Sequence, residues 1–264
     1  MAISMARRGR NPVVYDIRPD AADGLAGVRA IAQSAKEVAQ ASDIVLLAVV
    51  DAAQAKDALS GPTGVLAGAH GGTVVVLLCT VSVEAVHELA QLCAAADVPL
   101  LDCGVTPGTK AAENGMIAIL GGEPDAVDYA RPVLEDWAKQ VVHCGPLGTG
   151  MAAKIGRNVV TYGCWRAAYE GWSLTVAAGV EPGKLLEIIN AADPEGVNPF
   201  LLLSEYFSGA ALPHWLTTAE HFIDKDLDAA QELGSRVDVA VPLVDVARRT
   251  RHETVGPALS RREG

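Results

Sequence analysis

From Pro12 to about Gly145 the chain alternates short β-branched runs with stretches of helical length and period, a pattern that predicts a parallel sheet with helices on both faces. The candidate strands are Pro12 to Asp16, Val28 to Ile31, Ile44 to Val50, Thr73 to Leu78, Pro99 to Asp102, Met116 to Leu120 and Val141 to Cys144. Each is bounded by polar residues, glycine or proline. Between them Ser34 to Ala41, Asp51 to Leu59, Ser82 to Ala95 and Pro124 to Ala138 read as helices. Ser82 is placed as an N-cap hydroxyl, and Glu123-Pro124 puts proline in a first turn. After Gly145 the strand signals stop, and the chain to about Thr250 reads as helix broken at Gly179, Asp193-Pro194 and Leu212-Pro213. The run Thr149 to Ala178 is long and apolar on more than one face, which predicts a helix buried between domains or between subunits, in a homodimer or homotetramer.

A doubly wound sheet binds its ligand outside the carboxyl ends of its strands, with a pyrophosphate on the first helix's N-terminus. Asp16 ends a strand, where a carboxylate accepts bonds from adenosine ribose hydroxyls and repels a 2′-phosphate, which favours NAD. Arg18, two residues on, can take that phosphate and keeps NADP open. The glycine fingerprint that should precede the first helix is absent: the chain opens with Met1-Ala-Ile-Ser-Met-Ala-Arg-Arg-Gly9, which already reads as that helix. The fold class expected is therefore α/β, a Rossmann-type doubly wound sheet without its first strand and glycine loop in residues 1–145, followed by an all-α domain in residues 146–264. A start codon assigned too far downstream is the simplest explanation.

The formal charge of -11 repels nucleic-acid phosphates and anionic membrane surfaces, and the basic residues are scattered. A small molecule is the expected partner, with no nucleic acid and no membrane. Five cysteines without paired spacing read as reduced core residues, and no run of apolar residues is long enough to span a bilayer. A soluble cytoplasmic protein is expected. The six histidines show no ligand-like spacing, so no metal is expected.

Two stretches carry residues suited to a small carboxylate and a mobile proton. In Asp102-Cys-Gly-Val-Thr-Pro-Gly-Thr-Lys-Ala-Ala-Glu-Asn-Gly115 the hydroxyl of Thr106 and the backbone N–H of Gly108 can converge on a carboxylate at a strand end, whereas Pro107 has no N–H to give. The plain alternative is a Pro-Gly turn. In Gly148-Thr-Gly-Met-Ala-Ala-Lys-Ile-Gly-Arg-Asn158, Lys154 and Asn158 lie four apart on one helix face. A lysine in a desolvated cleft, with its pKa lowered, can take a hydroxyl proton as hydride leaves the carbon, or return it. Asn158 can bond the substrate and hold the lysine in place. The alternative is an ordinary solvated lysine.

With Lys225-Asp226-Leu227, these stretches resemble the D-A-P-V-S-G-G-x-x-G-A-x-x-G, G-x-G-x-x-x-K-x-x-N-N and K-D-L motifs of the β-hydroxyacid dehydrogenases, the group that includes 3-hydroxyisobutyrate dehydrogenase and tartronate semialdehyde reductase. Met1-Ala2 and Gly9 fit that family's register, which implies about a dozen residues upstream. The resemblance implies an NAD(P)-dependent oxidoreductase of the 6-phosphogluconate dehydrogenase-like fold that interconverts a small 3-hydroxy acid and its semialdehyde. It makes Lys154 and Asn158 catalytic, Thr106, Pro107, Gly108 and Arg157 substrate-binding, and Asp16, Val49, Val50, Thr80 and Lys225 cofactor-binding. Pro107 stands where the family has a glycine and Arg157 where it has an asparagine, so the carboxylate site should be altered. The rival expectation is a non-catalytic or cofactor-deficient remnant acting as a dimeric binding protein.

Overall fold

The computed structural model describes residues 1–28, 30–107, 115–193 and 219–250. The chain divides into two compact units, Met1–Asn158 and Val159–Gly264.

In the first unit, α1 (Ala2–Arg7) leads to the short strands β1 (Val13–Val14) and β2 (Ala30–Ile31), which pair in parallel as a small sheet. A separate five-stranded sheet follows, in the order β3 (Ile44–Leu47), β4 (Val74–Leu77), β5 (Leu100–Thr106), β6 (Met116–Gly121), β7 (Ala138–His143). No ladder joins β1 to β3 among the described residues. That is the place at which the doubly wound order seats its first strand.

Helices α2 (Ala35–Gln40), α3 (Ala52–Leu59), α4 (Val83–Ala94) and α5 (Pro124–Leu134) connect the strands. Their starts are set locally: Ser34, Asp51 and Ser82 each accept the N–H three residues on, and Pro124 sits in the first turn of α5. Alternation along β4 divides the core. Val75 and Leu77 join Val45, Leu47, Leu59, Val86 and Leu89 on one face, whereas Val74 and Val76 join Leu101, Met116, Leu120, Val127 and Leu134 on the other. Helices therefore cover both faces, as predicted.

Three details depart from the sequence reading. First, β6 runs antiparallel to β5, because only residues 107–115 separate them and a parallel return needs a crossover of about a dozen residues or more. Second, that antiparallel pairing extends β5 through Thr106, opposite Ile117. Third, α5 stops at Leu134 and not at Ala138, since Trp137 turns wholly into the second core cluster and Ala138 already starts β7. Of the cysteines, Cys79, Cys93 and Cys103 are core residues as expected, but Cys144 and Cys164 are exposed. Burial pushes the thiol of Cys93 up to about 11 and that of Cys103 to about 12.

The described residues of the second unit form helices joined by turns, with no strand among them. Helix α6 (Thr149–Ala177) runs into it from the first unit and ends before Gly179, whose φ of +91° suits glycine at a helix C-terminus. Helices α7 (Lys184–Ala192), α8 (Ala219–Arg236) and α9 (Pro242–Arg249) follow. Asp193 ends α7 at the expected break, while Pro194 and Leu212-Pro213 lie outside the described residues. The carboxylate of Glu170, 4% exposed, accepts the N–H groups of Leu243 (2.9 and 3.1 Å) and Val244 (3.1 Å) and pairs with Arg166 at 3.1 Å. It thereby anchors the start of α9 to α6. Tyr162, Trp165 and Tyr169 of α6 are all more than half exposed in the single chain. No described helix is long and apolar enough to cross a membrane.

Candidate functional site

Strand β5 and the first turns of α6 meet at a seam of glycines. Asp102, fully buried on β5, accepts the N–H of Gly148 at 2.7 Å through Oδ1 and that of Met151 at 2.5 Å through Oδ2. These donors belong to the start of α6, where backbone N–H groups have no partner within the helix. Gly148 holds φ at +90°, a conformation that glycine adopts without strain. A side chain at Gly150 would meet Ile119 O at 2.6 Å, and one at Gly121 would meet Gly150 N at 2.8 Å. The backbones approach so closely that only glycine fits there.

Lys154 lies one helical turn beyond Met151 and packs its stem into the space that a side chain at Gly104 would fill, 2.8 Å from its Cγ and 3.3 Å from its Cδ. It is 8% exposed, and no hydrogen bond or ion pair to it occurs among the described residues. Burial, and then the neighbouring positive charge of Arg157, push its pKa below that of an ordinary lysine. Alternation puts Asp102, Gly104 and Thr106 on one face of β5, so Thr106, 7% exposed, follows Gly104 on the same side. Pro107 is exposed and its peptide bond to Thr106 is cis, while Gly108 lies outside the described residues. Arg157 is exposed and donates through Nη1 to Asn158 Oδ1 at 3.3 Å; Asn158 itself is half-buried.

The structure thus places Lys154 on α6 against β5, the strand that carries Thr106, while residues 108–114 of the expected substrate loop lie outside the described residues. The sequence reading gave no role to Asp102 or Gly104, although both stand inside the motif that it singled out. A partner 46 or 49 residues away leaves no local spacing to find.

At the carboxyl ends of the other strands, Asp16 is exposed, and Arg18 donates to both its oxygens through Nε (3.0 Å) and Nη2 (3.0 Å), and through its backbone N–H (2.9 Å). That bonding lowers the carboxyl of Asp16 to about 2. Val49 is half-buried against the first core cluster, and Val50 is 79% exposed. Thr80 is exposed after β4, and its hydroxyl is not the cap of α4, since Ser82 Oγ takes that place by accepting Ala85 N–H at 3.1 Å. Lys225, in the second unit, is an exposed α8 residue paired with Asp226 at 3.4 Å.

Residues 1–145 match the family model of the NAD binding domain of 6-phosphogluconate dehydrogenase, more than half of the chain. The chain belongs to the β-hydroxyacid dehydrogenase family. Its cofactor class is accordingly NAD(P). A Dictyostelium discoideum mitochondrial protein named for 3-hydroxyisobutyrate dehydrogenase is 32% identical over 193 residues, 72% of this chain but only 60% of that relative's length. The 2-(hydroxymethyl)glutarate dehydrogenase of Eubacterium barkeri is 29% identical over 256 residues, 94% of this chain and 82% of its own. Among solved structures, a Mycobacterium tuberculosis 3-hydroxyisobutyrate dehydrogenase with L-serine superposes with a TM-score of 0.67 at 25% identity, covering 97% of this chain and 89% of that one. The β-hydroxyacid dehydrogenase fold, a Rossmann-type sheet followed by helices, is thus the architecture of this family member.

Asp16, Val50 and Thr80 leave polar and apolar surface open at three strand ends, where a dinucleotide would lie.

Proposed function

We propose that this chain is an NAD(P)-dependent dehydrogenase that interconverts a small 3-hydroxy acid and its semialdehyde. The observation that carries the reading is Lys154: an almost buried amine without a protein partner among the described residues, its pKa lowered, seated beside the strand that carries Thr106. A cation left unpaired in such a place costs stability, and a role in proton transfer accounts for its presence there.

When bound, the nicotinamide accepts or supplies the hydride. The neutral Lys154 amine takes the hydroxyl proton as the carbonyl forms, and its ammonium returns that proton in the reverse direction. The Thr106 hydroxyl and the backbone N–H of Gly108 hold the substrate carboxylate, with Pro107 contributing no donor. Asn158 bonds the substrate oxygen, and the positive charge of Arg157 selects for a more anionic substrate than a simple hydroxy acid. Asp16 receives the adenosine ribose, Val49 and Val50 flank its path, and Thr80 and Lys225 serve the nicotinamide side.

The test is a panel of small 3-hydroxy acids and semialdehydes assayed with NAD and NADP, on this chain and on one extended upstream by a strand and glycine loop. Turnover is expected with at least one pair, and Lys154→Ala is expected to remove most of it while NADH binding stays nearly intact. An unchanged kcat in Lys154→Ala would take the lysine out of the mechanism. The missing ladder between β1 and β3 among the described residues favours a second reading, a cofactor-deficient remnant. Fluorescence titration with NADH separates the two: tight binding by the 264-residue chain removes the remnant.

A further inference from the structure

We infer that Asp102 is the positioning residue for Lys154, and that it acts by pinning the first turn of α6 to β5 so that the lysine stem closes over Gly104. The inference rests on the proposed role of Lys154, but its geometry stands independently of any activity.

Two periodicities coincide at the seam. Along β5, Asp102 and Gly104 are two residues apart on one face, about 6.6 Å along the strand. Along α6, Met151 and Lys154 are three residues apart on one face, about 4.5 Å along the axis. Asp102 holds the first member of the helical pair and Gly104 seats the second. The helix start cannot slide or rotate without breaking the bonds to Gly148 and Met151, so two hydrogen bonds fix where the lysine emerges. Gly121 and Gly150 close the remaining freedom, since their backbones touch and Gly121 leaves room for Asp102 Oδ1 itself. The arrangement also explains why a carboxylate stands fully buried here: both its oxygens face the positive end of a 29-residue helix. A substitution at Asp102 therefore moves the amine without touching it. A misplacement on the order of 1 Å is enough to cost about 100-fold in rate.

The experiment is competitive acylation of the folded protein with a small amine reagent, read by peptide mass spectrometry as the ratio of Lys154 labelling to that of Lys139, an exposed lysine in the same unit. With each rate corrected for the neutral-amine fraction read from its own pH profile, Lys154 in the parent chain is expected to label several-fold more slowly than Lys139. In Asp102→Ala the ratio is expected to rise at least tenfold, as the first turn loosens and the stem leaves its seat. Asp102→Asn, which keeps one oxygen acceptor, is expected to fall between the two. If Asp102→Ala does not fold, Gly104→Ala is the second probe: it leaves the cap intact, occupies the seat and is expected to raise the same ratio. A ratio unchanged in folded Asp102→Asn and in Gly104→Ala overturns the inference, because a residue that serves only general stability would alter the unfolding midpoint and leave this ratio alone. In a turnover assay, Asp102→Asn is expected to lower kcat while the cofactor KM stays constant. The two readings fail separately: active Lys154→Ala removes the catalytic role and leaves the labelling result standing, whereas unmoved labelling removes the positioning role and leaves Lys154→Ala as the test of catalysis.

Discussion

Replacing Lys154 by methionine should make the protein more stable and less active at once. Methionine keeps a stem of similar length and shape in the seat over Gly104, so packing is conserved, while the ammonium, 8% exposed and without a partner among the described residues, is removed. Substitutions that relieve such functional strain commonly contribute about 0.5–2 kcal/mol, and about 1 kcal/mol is expected here. The pH dependence supplies the sharper test. Burial and Arg157 hold the folded pKa of Lys154 below the ordinary 10.5, so between those values the unfolded chain binds more protons than the folded one. Stability of the parent chain therefore rises with pH across that window, and the advantage of Lys154→Met shrinks as the parent lysine loses its proton. Urea unfolding followed by circular dichroism at about pH 7 and about pH 10 measures both midpoints. A variant less stable than the parent at neutral pH, or a gap that widens as pH rises, would refute the picture of a strained, unpaired amine.

Glu170→Gln should cost about 1–3 kcal/mol, since the amide loses the charge pair with Arg166 and leaves one oxygen, in place of two, to accept the N–H groups of Leu243 and Val244; faster amide exchange confined to α9 is the accompanying sign, and unaltered exchange there would count against the anchor. Asp16 has a folded pKa of about 2, below its ordinary 3.8, so its contact with Arg18 is fully present above 3.8 and lost as pH falls through about 2; a carboxyl NMR titration reads this directly, and a midpoint near 4 would contradict it. Trp165→Glu puts a charge among the exposed aromatic residues of α6 and is expected to convert a homodimer or homotetramer to monomers in sedimentation; an identical mass for both proteins would place any subunit contact elsewhere.

What the sequence disclosed and what it withheld separate along one physical line, the distance in the chain between cause and effect. Helix starts were legible because each cap acts within three residues, as Ser82 does on Ala85 and Pro124 does by its place in the first turn. The direction of β6 was also open to inference, since the span 107–115 leaves no room for a crossover, but the expectation of a wholly parallel sheet overrode the count. Lys154 could be singled out because its glycines stand beside it in the motif. By contrast, the end of α5 depends on where Trp137 finds a cavity, and nothing near it in sequence announces that. The same holds for both carboxylates that anchor helices: Asp102 acts on residues 46 and 49 positions away, and Glu170 on residues 73 and 74 away. A buried acid with no basic neighbour in sequence carries one usable signal, its own burial cost, which must be met by donors elsewhere in the fold. Helix N-termini are the commonest unspent source of such donors. An aspartate at the end of a predicted core strand, as Asp102 is, can thus be read in advance as the cap of some helix, and the glycines at the start of α6 mark which one has a backbone bare enough to reach it.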